Sequence, residues 1–285
     1  FIEGFHDFRI ETGGIRVFPR LTATDYPRLQ SERSISSGNA GIDALMGGGL
    51  ELGTTTLILG PAGTGKSALA TMYVHSAARQ GNKSLMFLFE EGLGTFFSRA
   101  RALGMDVLPF VEDGTVGVRH LDPAELAPGE LVEQVRDAVE NDGIRIIVID
   151  SLGGYLTAMM EEKHLLSQMH EFLNYLRRRS VVAILVMAQH GFLGPAMATP
   201  IDVSYLADNV VLLRYFEAGG RLRKSISAIK KRAGTHESSI REYRLDGSGV
   251  HAGQPLVEFS GLMTGVPRFD GREDMLLRGR DEPVE

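Results

Sequence analysis

One segment constrains the fold of this chain above all others: Gly60-Pro61-Ala62-Gly63-Thr64-Gly65-Lys66-Ser67, which satisfies G-x-x-x-x-G-K-[ST]. Its flanks carry the matching signals. Thr54-Thr55-Thr56-Leu57-Ile58-Leu59 is β-branched and apolar and predicts a strand, and Ala68-Leu69-Ala70-Thr71-Met72-Tyr73-Val74, free of Gly and Pro, predicts a helix. A strand that turns through glycines into a helix N-terminus is a phosphate cradle. The backbone N–H groups of Gly63 to Ser67 are set to face phosphate oxygens, Lys66 to reach the β- and γ-phosphates, and Ser67 to ligate Mg²⁺. Gly60, Gly63, Thr64, Gly65, Lys66 and Ser67 are therefore the expected nucleotide-binding set, with ATP and Mg²⁺ as the expected ligands.

Beyond this loop, strand and helix signals alternate. Strands are expected at Ser84–Glu90, Ile144–Asp150 and Val181–Ala188, and helices at about Thr95–Leu103, Glu130–Glu140 and Glu162–Arg179. The strands are apolar throughout, so both faces are buried under helices. The result is an α/β fold with a mostly parallel twisted sheet covered by helices on both faces. Past Asn209, the segments Val210–Tyr215, Leu222–Lys230 and Ile240–Leu245 are separated by turns and predict a C-terminal antiparallel extension. Residues 1–30 read as a lead-in, with two short strands around Gly13-Gly14; residues 31–270 read as the main domain; residues 271–285 are charged, aperiodic and expected to be disordered. No internal repeat is visible. The chain begins at Phe1 and is expected to be a piece of a longer protein.

Composition narrows the partners. A net charge of −6 argues against tight nucleic-acid binding. Without cysteine there is no disulfide, thiolate catalysis or zinc–thiolate site, and a cytoplasmic location is expected. The longest apolar run, Val181–Ala188, is too short to span a bilayer.

Other groups carry chemistry. Ile146-Ile147-Val148-Ile149-Asp150 is a Walker B strand whose terminal carboxylate is placed to hold Mg²⁺ opposite Ser67. Glu90-Glu91 ends the next strand after the loop, where a base would orient water or a hydroxyl. Strand alternation sends the two carboxylates to opposite faces, and Glu90 is assigned as the base. Gln189 follows strand Val181–Ala188 and is placed to contact the γ-phosphate, or else simply caps the strand. The loop 191–200 has no Lys or Arg and makes a poor groove for DNA. Lys230 and Arg232 share one strand face, either as a basic strand end in solvent or as a cationic fork for a neighbouring subunit's γ-phosphate.

Taken together, these residues resemble the KaiC family, circadian-clock ATPases of the RecA superfamily. Gly41-Ile42-Asp43-Ala44-Leu45, Gly47-Gly48-Gly49-Leu50, the P-loop, Phe89-Glu90-Glu91, Gly104-Met105-Asp106, Ile149-Asp150-Ser151 and Lys230-Lys231-Arg232 carry the resemblance across about residues 31–262. It implies a RecA-like ATPase in a homo-oligomeric, usually hexameric, ring with ATP between subunits, Glu90 as general base, and Lys230 and Arg232 reaching across. Residues 1–22 are similar to the segment joining the family's two tandem domains, which implies a preceding ATPase domain. The family's clock members autophosphorylate on a Ser-Thr pair; here Ser204 is kept and Tyr205 stands at the Thr position. Ser204 is thus a candidate phosphosite in a signalling or clock-like switch. Two alternatives share the fold: a DNA-dependent recombinase or helicase motor, disfavoured by charge, and a non-enzymatic ATP-dependent assembly module, disfavoured by Glu90-Glu91.

Overall fold

The computed structural model describes residues 6–29, 33–157, 162–189, 204–262 and 268–269. Loop 191–200, Met159-Met160 and tail 271–285 lie outside the described residues.

The chain opens with a hairpin, β1 (Asp7–Glu11) and β2 (Gly14–Phe18). A short pair, β3 (Ser34–Ile35) and β4 (Leu50–Glu51), brackets helix α1 (Ala40–Leu45). Then come β5 (Thr55–Gly60), α2 (Lys66–Arg79), β6 (Ser84–Leu88), α3 (Leu93–Ala102), α4 (Leu108–Glu112), β7 (Val116–His120), α5 (Pro128–Asp137), β8 (Ile146–Asp150), α6 (Leu152–Thr157), α7 (Glu162–Arg178) and β9 (Val182–Ala188). Four longer strands follow: β10 (Asn209–Ala218), β11 (Arg221–Lys231), β12 (Ile240–Asp246) and β13 (Gly249–Pro255).

Among the described residues one sheet dominates, in the order β13-β12-β11-β10-β5-β9-β8-β6-β7. From β10 to β7 every pairing is parallel. From β10 to β13 every pairing is antiparallel. This is the expected α/β arrangement, with one correction: β10 does not begin the antiparallel extension. Its residues Asn209–Leu212 lie parallel to Thr56–Leu59, so β10 closes the parallel set and turns its other edge to β11. Two edge strands, β7 and β13, escape the apolar pattern because each is partly polar and contains glycine.

Side-chain alternation divides the core. Leu57, Leu59, Phe87, Ile147, Ile149 and Leu185 face one layer, where Leu131 and Val135 of α5 and Phe172 and Leu176 of α7 cover them. Ile58, Met86, Leu88, Val148, Ile184 and Val186 face the other, beneath Leu69, Met72 and Tyr73 of α2 and Phe96 of α3. Strands covered on both faces have no polar side, which is why their sequences read as continuous apolar runs.

Phe87 is completely buried at the centre of the first layer. Phe87→Ala should cost about 3–5 kcal/mol in chemical denaturation, whereas Val257→Ala, at a side chain 76% exposed, should stay within about 0.5 kcal/mol.

Candidate nucleotide site

The end of β5 and the start of α2 present the expected loop. Gly65 is the N-cap of α2 with φ 101°, and no side chain caps the helix, so its first amides are free to meet an anion. A Cβ on Gly65 would lie 2.4 Å from Leu245 Cδ1, and Tyr243 donates its hydroxyl to the Gly65 carbonyl at 3.0 Å. Gly63, at φ 76°, would clash at 2.7 Å with the hydroxyl of Tyr215, which donates to the Ala62 carbonyl at 3.2 Å. Residues of β10 and β12 therefore hold the loop from outside. Nothing local to the P-loop sequence points to them.

Lys66 is buried, and its Nζ donates to the Pro61 carbonyl at 2.8 Å. Burial pulls its pKa down, against the opposing pull of the Asp150 and Glu90 carboxylates. Thr64 Oγ1 donates to the same carbonyl at 2.9 Å. Asp150 lies at the carboxyl end of β8, hydrogen-bonded to Ser67. Burial raises its pKa, and the Ser67 hydroxyl partly opposes the rise. An ammonium and a carboxylate, each disfavoured as ions by their surroundings, fit a triphosphate and a divalent cation that would satisfy both. Gln189 is held beside the loop by its N–H to the Gly60 carbonyl, at 3.0 Å, and its buried Oε1 has no partner among the described residues. Lys66, Ser67 and Asp150 share with Glu90, Glu91, Thr95 and Arg99 a cavity of about 480 Å³, which Gln189 does not line.

The acidic pair differs from the sequence expectation. β6 ends at Leu88, so Glu90 and Glu91 lie in the turn before α3 and strand alternation does not sort them. Their partners do. Arg99 grips Glu91 with two hydrogen bonds, at 3.0 and 2.7 Å. Glu90 is exposed to the cavity and accepts from Ser151 Oγ, at 2.6 Å. Sequence pattern alone assigns no role to Arg99 or Ser151. Ser151 directly follows Asp150, which was the available signal; Arg99 is brought to Glu91 only by the turn into α3.

Lys230, Arg232 and Ser204 do not gather with this loop. Lys230 Nζ donates to the carbonyls of Ser204 and Ala207, at 2.9 and 2.7 Å. Arg232 pairs with Asp208 at 3.2 Å, with its side chain half exposed. Lys231 turns to the other side, toward Glu51 and the Met46 carbonyl. Asn209 aligns with both Lys231 and Thr56, which places this cluster at the start of β5. The P-loop lies at the far end of that strand, roughly 15 Å away at ~3.3 Å per residue.

This sheet and loop are those of a RecA-like P-loop ATPase. Residues 35–256 match the family described as ATPase: KaiC, and the chain belongs to that family. It is 25% identical over 270 residues to the circadian clock protein KaiC3 of Synechocystis sp. (strain ATCC 27184 / PCC 6803 / Kazusa), covering 93% of this chain and 52% of the relative. It is 24% identical to the circadian clock oscillator proteins KaiC of Acaryochloris marina and Prochlorococcus marinus, again over 93% of this chain and 51% and 53% of theirs. The chain thus spans about half the length of the curated relatives it matches.

A carboxyl whose folded pKa is raised contributes stability that is present at low pH and lost as pH rises through that pKa. Asp150→Asn should therefore raise the thermal midpoint of the nucleotide-free protein near neutral pH and flatten its decline as pH rises above the ordinary carboxylate range. The same variant should lose Mg²⁺-dependent ATP binding, measured by calorimetry.

Proposed function

We propose that this KaiC-type domain hydrolyses ATP in a homo-oligomeric, hexameric ring whose composite sites lie between neighbouring copies, and that it works as a signalling or clock-like switch. One observation carries this reading. Lys230 and Arg232 sit at the opposite end of the sheet from their own P-loop, so these cations can serve a nucleotide only in another copy. The clock names of the relatives support the switch role. Their length supports a preceding ATPase domain in a longer polypeptide. No helix among the described residues is long and apolar enough to cross a membrane, and a cysteine-free chain suits the cytoplasm.

The residues divide the work by their environments. Lys66 exchanges the Pro61 carbonyl for the β- and γ-phosphates, a stronger partner for a buried ammonium. The amides at the start of α2 take the remaining phosphate charge. Ser67 and Asp150 would hold Mg²⁺, which supplies charge neutralisation to the phosphate oxygens. Glu90 orients water and accepts its proton, and Ser151 sets the direction of that carboxylate. Glu91, tied to Arg99, is committed to shaping the turn. Gln189 offers its unpartnered carbonyl oxygen to the attacking water or its amide to the γ-phosphate. Arg232 leaves Asp208 to meet a neighbour's γ-phosphate.

A serine autokinase activity is the second part of the proposal. Ser204 lies in the turn before β10, with its carbonyl held by Lys230. A cation that reads a neighbour's γ-phosphate thereby brings this serine toward the same phosphate.

Lys66→Ala should abolish tight ATP binding, and Glu90→Gln should keep ATP bound while slowing hydrolysis about 10²- to 10⁴-fold. Arg232→Ala should slow it by about 10³–10⁵, as for other fingers supplied in trans. After confirmed subunit exchange, mixing Glu90→Gln with Arg232→Ala should restore turnover at interfaces that pair a native Glu90 with a native Arg232. Failure to recover would rule out a site shared between copies. With γ-labelled ATP, label on the full-length protein should map to Ser204 by mass spectrometry and vanish in Ser204→Ala; label found only elsewhere would remove the autokinase assignment.

A further inference from the structure

The β1–β2 hairpin has two unlike faces. Asp7, Arg9, Arg16 and Phe18 point toward α5. There Asp7 accepts the Gly129 N–H at 2.7 Å, Arg9 donates to Glu130 at 3.2 Å, Arg16 pairs with Glu133 at 2.8 Å, and Phe18 is buried. The hairpin is thus fixed on the helix. Its opposite face carries Phe8, Ile10, Ile15 and Val17, exposed by 58%, 78%, 66% and 51%. These four form two adjacent cross-strand pairs, Phe8 with Val17 and Ile10 with Ile15, so the patch is continuous. Scattered exposed apolar side chains need no explanation, but a continuous patch on an anchored surface does.

A second hairpin in the same molecule shows what covers such a face. In β12–β13, Tyr243 pairs with Ala252, Arg244 with His251, Leu245 with Val250 and Asp246 with Gly249. In β1–β2, Phe8 pairs with Val17, Arg9 with Arg16, Ile10 with Ile15 and Glu11 with Gly14. The register and the chemical class agree at every pair, and both turns end on a glycine of positive φ, 149° at Gly14 and 120° at Gly249. The sequence alone hides this repeat, because Arg9/Arg244 and Gly14/Gly249 are the only identities within these pairs. In β12–β13 the equivalent face is covered. Leu245 and the Tyr243 ring pack on Gly65, the Tyr243 hydroxyl holds its carbonyl, and Ala252 meets Gly41 of α1. Tyr243 and Val250 are almost fully buried there.

We propose that Phe8, Ile10, Ile15 and Val17 dock on the phosphate-loop end of a preceding domain of this same fold, as Tyr243, Leu245, Val250 and Ala252 do within this one. The proposal rests on the tandem reading above, which the length of the relatives supports. Phe8 keeps the ring of Tyr243 but lacks its hydroxyl, so packing alone would hold the upstream loop. Because the other face is anchored on α5, the hairpin becomes a rigid bridge between the two domains.

The test uses the full-length polypeptide with photoreactive benzoylphenylalanine in place of Phe8, where the native side chain already carries a phenyl ring. Irradiation should join position 8, within one polypeptide, to residues flanking the upstream P-loop, as mapped by mass spectrometry. A link to a second copy, a link elsewhere, or no link would overturn the docking. A full-length sequence with no upstream P-loop would instead overturn the tandem reading itself, so the two failures are distinguishable. As a second measurement, Ile10→Asp with Ile15→Asp should lower the thermal transition of the upstream domain in the full-length protein and leave that of the 285-residue chain unchanged. An unchanged upstream transition would count against the docking.

Discussion

The structure depends on a single buried carboxylate. Asp208 accepts the Thr55 N–H at 3.0 Å, Arg177 at 2.8 Å and Arg232 at 3.2 Å. One side chain thus ties the start of β5 to the end of α7, the start of β10 and the end of β11. Burying a carboxylate is costly unless its charge is matched and its lone pairs are filled, and here two guanidinium groups and an amide do both. The position of β5 in the sheet follows from this junction. β5 in turn sets the register of β9 and β10, and through them the convergence of Gly60, Gln189 and Asp150. A strand slip of one residue would turn every core side chain to the wrong layer.

That junction and the phosphate loop lie at opposite ends of one strand, and the proposed function turns on the separation. Arg232 is at once a structural partner of Asp208 and a cation half exposed at the surface. Asp208 would keep Arg177 and the Thr55 amide when Arg232 leaves, so the buried charge is never stranded. The side-chain exposures agree with that division: Arg177 is 36% exposed and Arg232 51%. At the other end, Glu90 and Glu91 look alike in sequence and are separated by what they touch.

What could be read in advance followed from physics local in sequence. The P-loop announces itself because phosphate binding needs glycines, a lysine and a hydroxyl at fixed spacing. The parallel strands announce themselves because burial on both faces leaves no room for polar residues. Reading failed where the deciding contact was distant. β10 is followed closely by its antiparallel neighbours across short turns, and only its partner β5 makes it parallel on one edge. The strand expected to reach Glu90 stops at Leu88, which undid the alternation argument for the acidic pair. Tyr215, Tyr243 and Leu245 act on the loop, and Arg99 on Glu91, through contacts that pattern alone does not encode. The hairpin repeat stayed hidden because it conserves pairing and chemical class rather than identity.

The uncapped start of α2 has a consequence for the protein's life outside the assay. A helix with no side-chain cap among the described residues, beside a lysine and an aspartate both disfavoured as ions, is completed by a ligand that supplies the missing charge. A ligand present at a thousandfold its dissociation constant adds about 4 kcal/mol to the folded state. That is a large share of the ~5–15 kcal/mol by which domains are stable at all. By that arithmetic, loss of the ligand would enlarge the population of opened chain, the form that proteases cut.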